Sequence, residues 1–252
     1  MNFDTKDIAF FDNFDDKQYN EIFSKYKSLA DKYKTIKNIE KHPNMDKIAE
    51  VKQEMKDFLN PNRMYERLGV DILCVKIAEN LLPVADPDLK GDLLLETHVL
   101  RQKLTDAYGF IIPNIKISAS KIIEDYGFEI FVRWKKVYSG KISDEDLNKN
   151  NPREIIKGLY SVCFDYTHYV MTKTDVLKLM ELVRTQDSTL VDDIIPAYIT
   201  PLALKRIFAN LIQRKVGIKD IIFVFEILNE NVKNTQDIDE LTDILEKELS
   251  FA

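Results

Sequence analysis

The chain contains 252 residues, of which 45% are hydrophobic and 31% are charged, and its formal net charge is -6 at pH 7. This length and apolar content predict a folded globular protein with one large domain or two or three small units. The acidic balance excludes a protein-wide electrostatic footprint for nucleic acid or an anionic membrane, so any such binding must be local.

The cysteines and the apolar runs indicate a cytoplasmic chain. Cys74 and Cys163 stand alone without CxxC spacing, and the N-terminus lacks the apolar run and cleavage site of a signal peptide. We therefore expect both thiols to be reduced and buried. The longest unbroken apolar run, Ile221 to Phe225, has five residues, whereas a membrane helix needs roughly 20. No bilayer span is expected.

The first sixteen residues form a tail that combines phenylalanines with aspartates. The residues concerned are Phe3, Phe10, Phe11 and Phe14, together with Asp4, Asp7, Asp12, Asp15 and Asp16. Such a tail is either a docking peptide or, as is more common, a segment that packs on its own domain.

From Tyr19 onward, apolar residues recur three and four positions apart, which predicts a helix with a coiled-coil-like seam. The seam residues are Tyr19, Ile22, Tyr26, Leu29, Tyr33 and Ile36. His42, Pro43 and Asn44 interrupt this helix, because proline removes a backbone donor. The spacing resumes over 48–58, so we predict an antiparallel helical hairpin that ends near Asn60.

A small α/β layer is predicted after Gly69. Alternation of apolar and polar residues predicts strands over 71–77, 115–117 and 128–134, and another at 137–138 after a tight turn. Residues 80–87 read as a proline-marked loop. The helix predicted over 93–107 has Asp92 as its N-cap and Gly109 as a left-handed C-cap.

The C-terminal half predicts helices only. Pro152 opens the first of them, and Thr172 with Asp175 resembles a capping box at the start of the next. A last amphipathic helix is predicted over 238–249. The whole chain therefore predicts an α+β fold with an acidic tail and helical hairpin over 1–61, an α/β subdomain over 62–147, and a helical subdomain over 148–252.

Two further amphipathic helices are predicted within 201–231. Thr200 fits the N-cap of the first helix and Pro201 its first position. Gly217 is predicted to supply the turn that folds the second helix back on the first.

Catalytic and cofactor chemistry find little support in the sequence. The seven glycines are not clustered, so a phosphate-binding loop is not expected. His42, His98 and His168 do not show the spacing of metal ligands. We predict that the chain is not an enzyme and holds no cofactor or metal.

The order of residues around the paired helices is more specific than their periodicity. The blocks LVDDIIPAYI (190–199) and LKRIFANLIQRKVGIKDIIFVFEIL (204–228) resemble the patterns LVxELxP and QxVLxNLLxERVxIRDLxxILExL. These patterns are those of the FHIPEP family, the export-gate proteins of flagellar and type III secretion systems. The matching positions are Val191, Pro196, Asn210, Leu211, Arg214, Val216, Ile218, Asp220, Glu226 and Leu228.

A second resemblance to the same family lies in the α/β layer. LLPVAD (81–86) and GDLLLETHVLRQKLTDAYGFIIPNIKI (91–117) are similar to LIPLVD and GDLLxRIxxIRxQLAxELGFVIPxIRI. The matching positions are Pro83, Asp86, Gly91, Asp92, Arg101, Leu104, Gly109, Phe110 and Pro113. The resemblance covers about 69–142 and 155–231, and none is found over the predicted hairpin.

The resemblance implies the cytoplasmic C-terminal domain of an export gate, without the membrane bundle that full-length members carry. Members also insert a second small α/β subdomain, marked by an EPAFGLPAxWI-like segment, where this chain has only SDEDLNKNN (143–151). In the family that subdomain contributes to a hydrophobic dimple that docks chaperone and cargo complexes, and to ordering the ring. We therefore expect monomers or small oligomers of a non-enzymatic protein-interaction module, an accessory or repurposed export component. Its expected partners are components of the secretion apparatus or cargo.

A cluster of basic residues in the paired helices is the candidate binding surface. Lys205, Arg206, Arg214, Lys215 and Lys219 fall in a stretch without acidic residues, and we predict that Arg206, Arg214, Lys215 and Lys219 receive carboxylates of a protein partner. One alternative is a nucleic-acid-binding regulator that uses the pair as a winged-helix-like reader. Another is a solvated face that complements acidic segments of the same chain.

Overall fold

The computed structural model describes residues 16–39, 45–89, 91–143, 146–147 and 151–250. The chain divides into two units, Met1–Gly69 and Val70–Ala252. No helix of the described chain is both long enough and apolar enough to cross a membrane.

The first unit contains the predicted helical hairpin. Helix α1 (Asp16–Ile39) and helix α2 (Met45–Phe58) are followed by a 3-10 helix, Pro61–Arg67. The rings of Tyr26 and Phe58 stack with centroids 6.4 Å apart, and Lys32 Nζ lies 3.3 Å from Glu54 Oε2. Early residues of α1 thus contact late residues of α2, so the two helices run antiparallel. The tail up to Asp15 and the predicted break at 42–44 lie outside the described residues.

The second unit begins with a four-stranded mixed sheet. Its strands are β1 (Leu73–Ala78), β2 (Ile115–Ser120), β3 (Gly127–Val132) and β4 (Lys135–Lys141), in the order β2-β1-β3-β4. Strand β1 is parallel to β2 and antiparallel to β3, and Val75 lies opposite Ile117 on one side and Ile130 on the other. Cys163 is buried, but Cys74 is only half-buried, because it alternates along β1 with the buried Leu73 and Val75. The prediction of two buried thiols is therefore wrong for Cys74.

Short helical turns and one long helix connect β1 to β2. The segment predicted as a loop contains the 3-10 turns Glu79–Leu81 and Pro87–Leu89 and the short helix α3 (Leu82–Ala85). Helix α4 (Leu93–Tyr108) follows, and Gly109 ends it with a left-handed φ of 66°, as predicted. The side chain of Asp92 makes no capping hydrogen bond, so the predicted N-cap role is wrong in that respect.

The rest of the second unit is helical. Its helices are α5 (Arg153–Asp165), α6 (Thr167–Val170), α7 (Lys173–Arg184), α8 (Thr189–Asp192), α9 (Pro201–Gln213), α10 (Ile221–Asn231) and α11 (Ile238–Leu249). The predicted capping box is present: Asp175 N donates to Thr172 Oγ1 at 3.2 Å, and Thr172 N donates to Asp175 Oδ2 at 2.8 Å. Thr200 Oγ1 caps α9 by accepting from Ala203 N at 3.1 Å.

The sheet and the helices of the second unit share one hydrophobic core. Helix α5 approaches the sheet closely at Gly158, where a Cβ would lie 2.8 Å from Cε1 of Tyr138 and 3.0 Å from Cδ1 of Ile130. Glycine is needed at this position because a larger residue would push α5 off β3 and β4. The hydrophobic core thus continues across the boundary that the sequence predicted between an α/β and a helical subdomain, at residues 147 and 148.

Two blocks that carry the family resemblance meet in space. Ile218 N, in the turn between α9 and α10, donates to Tyr108 O at 2.8 Å, and a Cβ on Gly109 would lie 2.9 Å from Lys219 N. Lys215, and not Gly217, adopts the left-handed conformation of this turn, with φ 62°. Gly217 allows close packing instead, since a Cβ there would lie 3.1 Å from Ala107 O. The end of α4 therefore fixes the α9–α10 turn.

Candidate protein-binding surface

The four basic residues predicted to bind a partner do not form one cluster. Arg206 lies in the second turn of α9, Arg214 ends that helix, and Lys215 and Lys219 lie in the turn before α10. Because an α-helix rises about 1.5 Å per residue, Arg206 and Arg214 are separated by roughly 12 Å along the helix axis. The four charges therefore divide between two ends of α9.

Arg214 is occupied by carboxylates of its own chain. Its Nη1 lies 2.6 Å from Asp243 Oδ1 and 2.6 Å from Glu246 Oε2, both on α11. Hydrogen bonds with Asp243 and then with Glu246 raise the pKa of Arg214. The side chain joins the end of α9 to α11, which is the arrangement expected of a charge that complements acidic segments of the same chain.

Lys215 also contacts a side chain of its own chain, whereas Lys219 has no ion pair among the described residues. The Nζ of Lys215 lies 5.9 Å from the centroid of the Phe164 ring, within the range of a cation–π contact. Within the described ranges, Lys219 and Arg206 form no ion pair. These two are the members of the predicted set that a partner's carboxylates can reach without displacing an internal contact.

Arg206 belongs to a second group of cations that tertiary structure assembles. Arg133, in the turn between β3 and β4, donates from Nε to Tyr169 O at 2.8 Å. Lys205, beside Arg206 on α9, donates from Nζ to His168 O at 2.5 Å. Burial, followed by the charges of Arg133 and Arg206, lowers the pKa of Lys205. Lys205 therefore lies close enough to Arg133 and to Arg206 for their charges to act on it.

Exposed aromatic rings border this group of cations. Trp134, next to Arg133 at the tip of the β3–β4 hairpin, is 68% exposed, and Tyr169 is 59% exposed. We call the surface formed by Arg133, Trp134, Tyr169, Lys205 and Arg206 the hairpin-tip patch. It combines positive charge with aromatic surface, which is the composition of many protein-binding sites.

The sequence pattern did not reveal the hairpin-tip patch. Alternation predicted that the strand over 128–134 includes Trp134, but the strand ends at Val132 and the turn consists of Arg133 and Trp134. Two-residue hairpin turns with positive φ favour Asn-Gly or Asp-Gly, so an Arg-Trp turn carries no such signal. No local pattern connects this turn with Lys205.

Two grooves of the second unit differ in size and polarity. A groove of about 440 Å³ lies between α4 and α5 and is lined by Leu100, Lys103, Tyr160 and their neighbours. A more apolar one of about 190 Å³ is lined by Ile111, Leu182 and their neighbours. Neither is lined by histidine or cysteine, and burial raises the pKa of the Cys163 thiol to about 12. In the part of the chain that the structure describes, no three histidine, cysteine or acidic side chains group as metal ligands.

The FHIPEP family model matches residues 21–162 and 148–252. The two matches overlap at 148–162. This overlap lies next to the segment in which we predicted that the family's second α/β subdomain is missing. The first match begins at residue 21, within α1, so the interpretation that the hairpin lies outside the resemblance is wrong.

Relatives and solved structures agree with this match. The flagellar biosynthesis protein FlhA of Bacillus subtilis (strain 168) is 20% identical over 261 residues, which cover 86% of this chain and 39% of FlhA. The Chlamydia pneumoniae CdsV and CdsO protein complex contains a chain with a TM-score of 0.58 and 17% identity, over 70% of this chain and 64% of that one. Nonameric EPEC SctV-C gives a TM-score of 0.57 and 14% identity, over 71% and 65%. This protein thus has the fold of those domains and spans about two fifths of the length of its FlhA relative.

The nucleic-acid alternative finds no support among these proteins, which are named for flagellar biosynthesis and secretion. Three of the five cations on which the alternative rested also have contacts within the chain: Lys205 with His168 O, Arg214 with Asp243 and Glu246, and Lys215 with Phe164. The basic residues therefore do not present the continuous face that a winged-helix reader needs.

Proposed function

Because this chain belongs to the FHIPEP family, we propose that it is a non-enzymatic protein-interaction component of a flagellar or type III secretion export apparatus. The observation that carries the proposal is the family match on both sides of residues 148–162. The fold, which is that of a domain of the Chlamydia CdsV protein, supports it. The proposed location is the cytoplasmic side of the membrane.

The proposed partners are other proteins of the same apparatus. Chlamydia pneumoniae CdsV has been solved in complex with CdsO, and we propose that this chain binds a comparable component. Within the predicted set, Arg206 and Lys219 are the cations best placed to receive a partner's carboxylates, since Arg214 and Lys215 already have contacts. Basic residues at the rim of an interface steer the encounter with an acidic partner more than they hold the complex.

The oligomeric state of this protein is proposed to be smaller than that of its solved relatives. SctV-C is described as nonameric, but about a third of that chain has no counterpart in the aligned part of this protein. The family resemblance implies that the subdomain we expect to be missing here helps to order the ring in other members. We therefore propose that this protein forms monomers or small oligomers in isolation.

Co-purification with export components tests the proposed function. The tagged chain is expressed with the CdsO counterpart encoded in the same genome, and complex formation is followed by size-exclusion chromatography. Deleting the gene should also reduce flagellar assembly or secretion. If the chain bound no export component and its deletion left export unchanged, the proposed function would be wrong.

A further inference from the structure

The hairpin-tip patch is held in a conformation that costs free energy. Arg133 and Trp134 have φ values of 48° and 71°, and the left-handed region is unfavourable for residues other than glycine. The turn is kept in place by two hydrogen bonds, from Arg133 N to Ile72 O at 3.0 Å and from Arg133 Nε to Tyr169 O at 2.8 Å. The chain thus presents its only tryptophan to solvent on a strained but anchored turn.

Two cations of the patch are held in position by hydrogen bonds. Arg133 and Lys205 donate to the carbonyl oxygens of Tyr169 and His168 in α6, which restrains both side chains. In the described part of the molecule, neither these two nor Arg206 forms an ion pair. Carboxylates of a bound segment would therefore meet cations that no acidic side chain of the described chain neutralises.

The chemistry of the patch specifies the class of occupant. The three cations favour a ligand with acidic side chains. The exposed rings of Trp134 and Tyr169 favour an apolar or aromatic side chain next to those acidic side chains. The exposed Leu202, in the first turn of α9, adds apolar surface on the same element as Lys205 and Arg206. The net charge of -6 shows that this basic surface is local, so it selects a short segment and not an extended polyanion.

We propose that the hairpin-tip patch is a docking site for an acidic protein segment that carries an aromatic anchor. Arg133, Lys205 and Arg206 receive the carboxylates, and the ring of Trp134 packs on the anchor. The inference rests on the proposed function, because it names the class of protein partner. It is tested on the purified chain alone, so its failure would leave co-purification with export components unaffected.

Trp134 reports directly on the site because no other tryptophan contributes to the emission. The full chain is titrated with a short peptide of glutamates interrupted by phenylalanine, and the emission is followed. We expect a saturable blue shift as the indole leaves water, and a dissociation constant that rises with salt concentration. A peptide of the same length with glutamates alone should bind more weakly, because it lacks the anchor.

Two charge variants separate the patch from general electrostatics. Arg206→Gln should weaken binding of the peptide by about 5- to 20-fold, since it removes one cation of the patch. Lys233→Gln removes an exposed cation outside the patch and should leave binding nearly unchanged. Circular dichroism melts of both variants check that folding is intact. Trp134→Ala, measured by the anisotropy of a dye-labelled peptide, should also weaken binding.

Several results would overturn the inference. One is an emission spectrum that does not respond to the peptide, and another is an equal effect of Arg206→Gln and Lys233→Gln. Equal binding of the all-glutamate peptide or of a single-stranded oligonucleotide would show a general polyanion surface. A change of emission with protein concentration alone would assign the patch to a second copy of the chain.

Discussion

At the scale of single residues, the family-like positions serve internal contacts. Arg101 donates from Nε to Ile112 O at 3.0 Å and from Nη2 to Pro113 O at 3.2 Å, which fixes the segment between α4 and β2. Asp220 caps α10 by accepting from Phe223 N at 3.1 Å. Arg214 joins α9 to α11 in the same way. These side chains match the family pattern at positions where they stabilise the fold. We therefore look for a binding surface among other residues.

The first residue-scale prediction concerns Arg214. Arg214→Glu should lower the free energy of unfolding by about 1 kcal/mol, because it removes two ion pairs and places a third carboxylate beside Asp243 and Glu246. Lys219→Glu is the matched control, as Lys219 has no ion pair among the described residues, and should cost less. Urea denaturation at low salt measures both, and the difference should shrink at high salt. Equal unfolding midpoints would show that the pairs do not stabilise the fold.

The second residue-scale prediction concerns Cys163, whose pKa burial raises from 9.0 to about 12. The thiol should not react with a disulfide reagent at pH 8 in the native protein, whereas the half-buried Cys74 should react slowly. Above pH 9 the unfolded chain releases this proton and the folded chain retains it. The free energy of unfolding should therefore fall by up to about 1.4 kcal/mol per pH unit from this group.

Cys163→Ala isolates the contribution of that thiol. It removes the group that titrates, so its stability should decline less steeply between pH 9 and 11 than that of the unchanged chain. Lysines and tyrosines titrate in both proteins and cancel in the comparison. Parallel declines, or rapid labelling of Cys163 in the folded chain, would contradict the buried environment.

At the scale of elements, one junction positions the paired helices. The end of α4 contacts the α9–α10 turn through the hydrogen bond between Ile218 N and Tyr108 O. Gly109 makes that approach possible, because it takes a left-handed φ of 66° and a Cβ there would lie 2.9 Å from backbone atoms of Ile218 and Lys219. The packing of α4 against the helical half therefore depends on the absence of a side chain at one position.

Gly109→Ala tests this junction. It should lower the free energy of unfolding by about 1 to 3 kcal/mol, from the left-handed conformation and from the contact with the facing backbone. Gly69→Ala is the control, because nothing lies within 4 Å of a Cβ at that position. Thermal or urea unfolding followed by circular dichroism compares the two. A Gly109 variant as stable as the control would show that α4 does not need this close approach.

At the scale of the whole molecule, the second unit has one core although the connection between its sheet and its helices is short. The sheet and the helices share that core, and only a short polar segment joins β4 to α5. The solved relatives contain additional chain, since the match covers 64% or 65% of them. The core of the second unit is therefore continuous without a counterpart of that additional chain.

The whole-molecule prediction concerns assembly. Light scattering of the purified chain should give the mass of a monomer or a small oligomer, because the subdomain to which we attribute ring ordering is missing. A shortened chain that begins at Val70, the start of the second unit, should be no larger, and any self-association should depend on the helical hairpin. A stable nonamer formed by the shortened chain would contradict this prediction.

Helices, strands and caps follow largely from local sequence, as the hairpin helices, Gly109 and the capping box at Thr172 show. The physical reason is that periodicity and capping act within a few residues, so a single chain segment contains the information. The errors arose where tertiary contacts decide: Asp92 makes no capping bond, Lys215 takes the left-handed turn, and Arg214 is paired.

The hairpin-tip patch depended entirely on tertiary structure. Arg133 and Lys205 are 72 positions apart in the sequence, and they come together because both donate to neighbouring carbonyl oxygens of α6, those of Tyr169 and His168. Local sequence patterns do not predict a tertiary contact between segments so far apart. The sequence by itself determined the family and the elements, since ordered motifs survive without coordinates. Only the folded chain decided which cations stay free, because that depends on which carboxylates the core brings within reach.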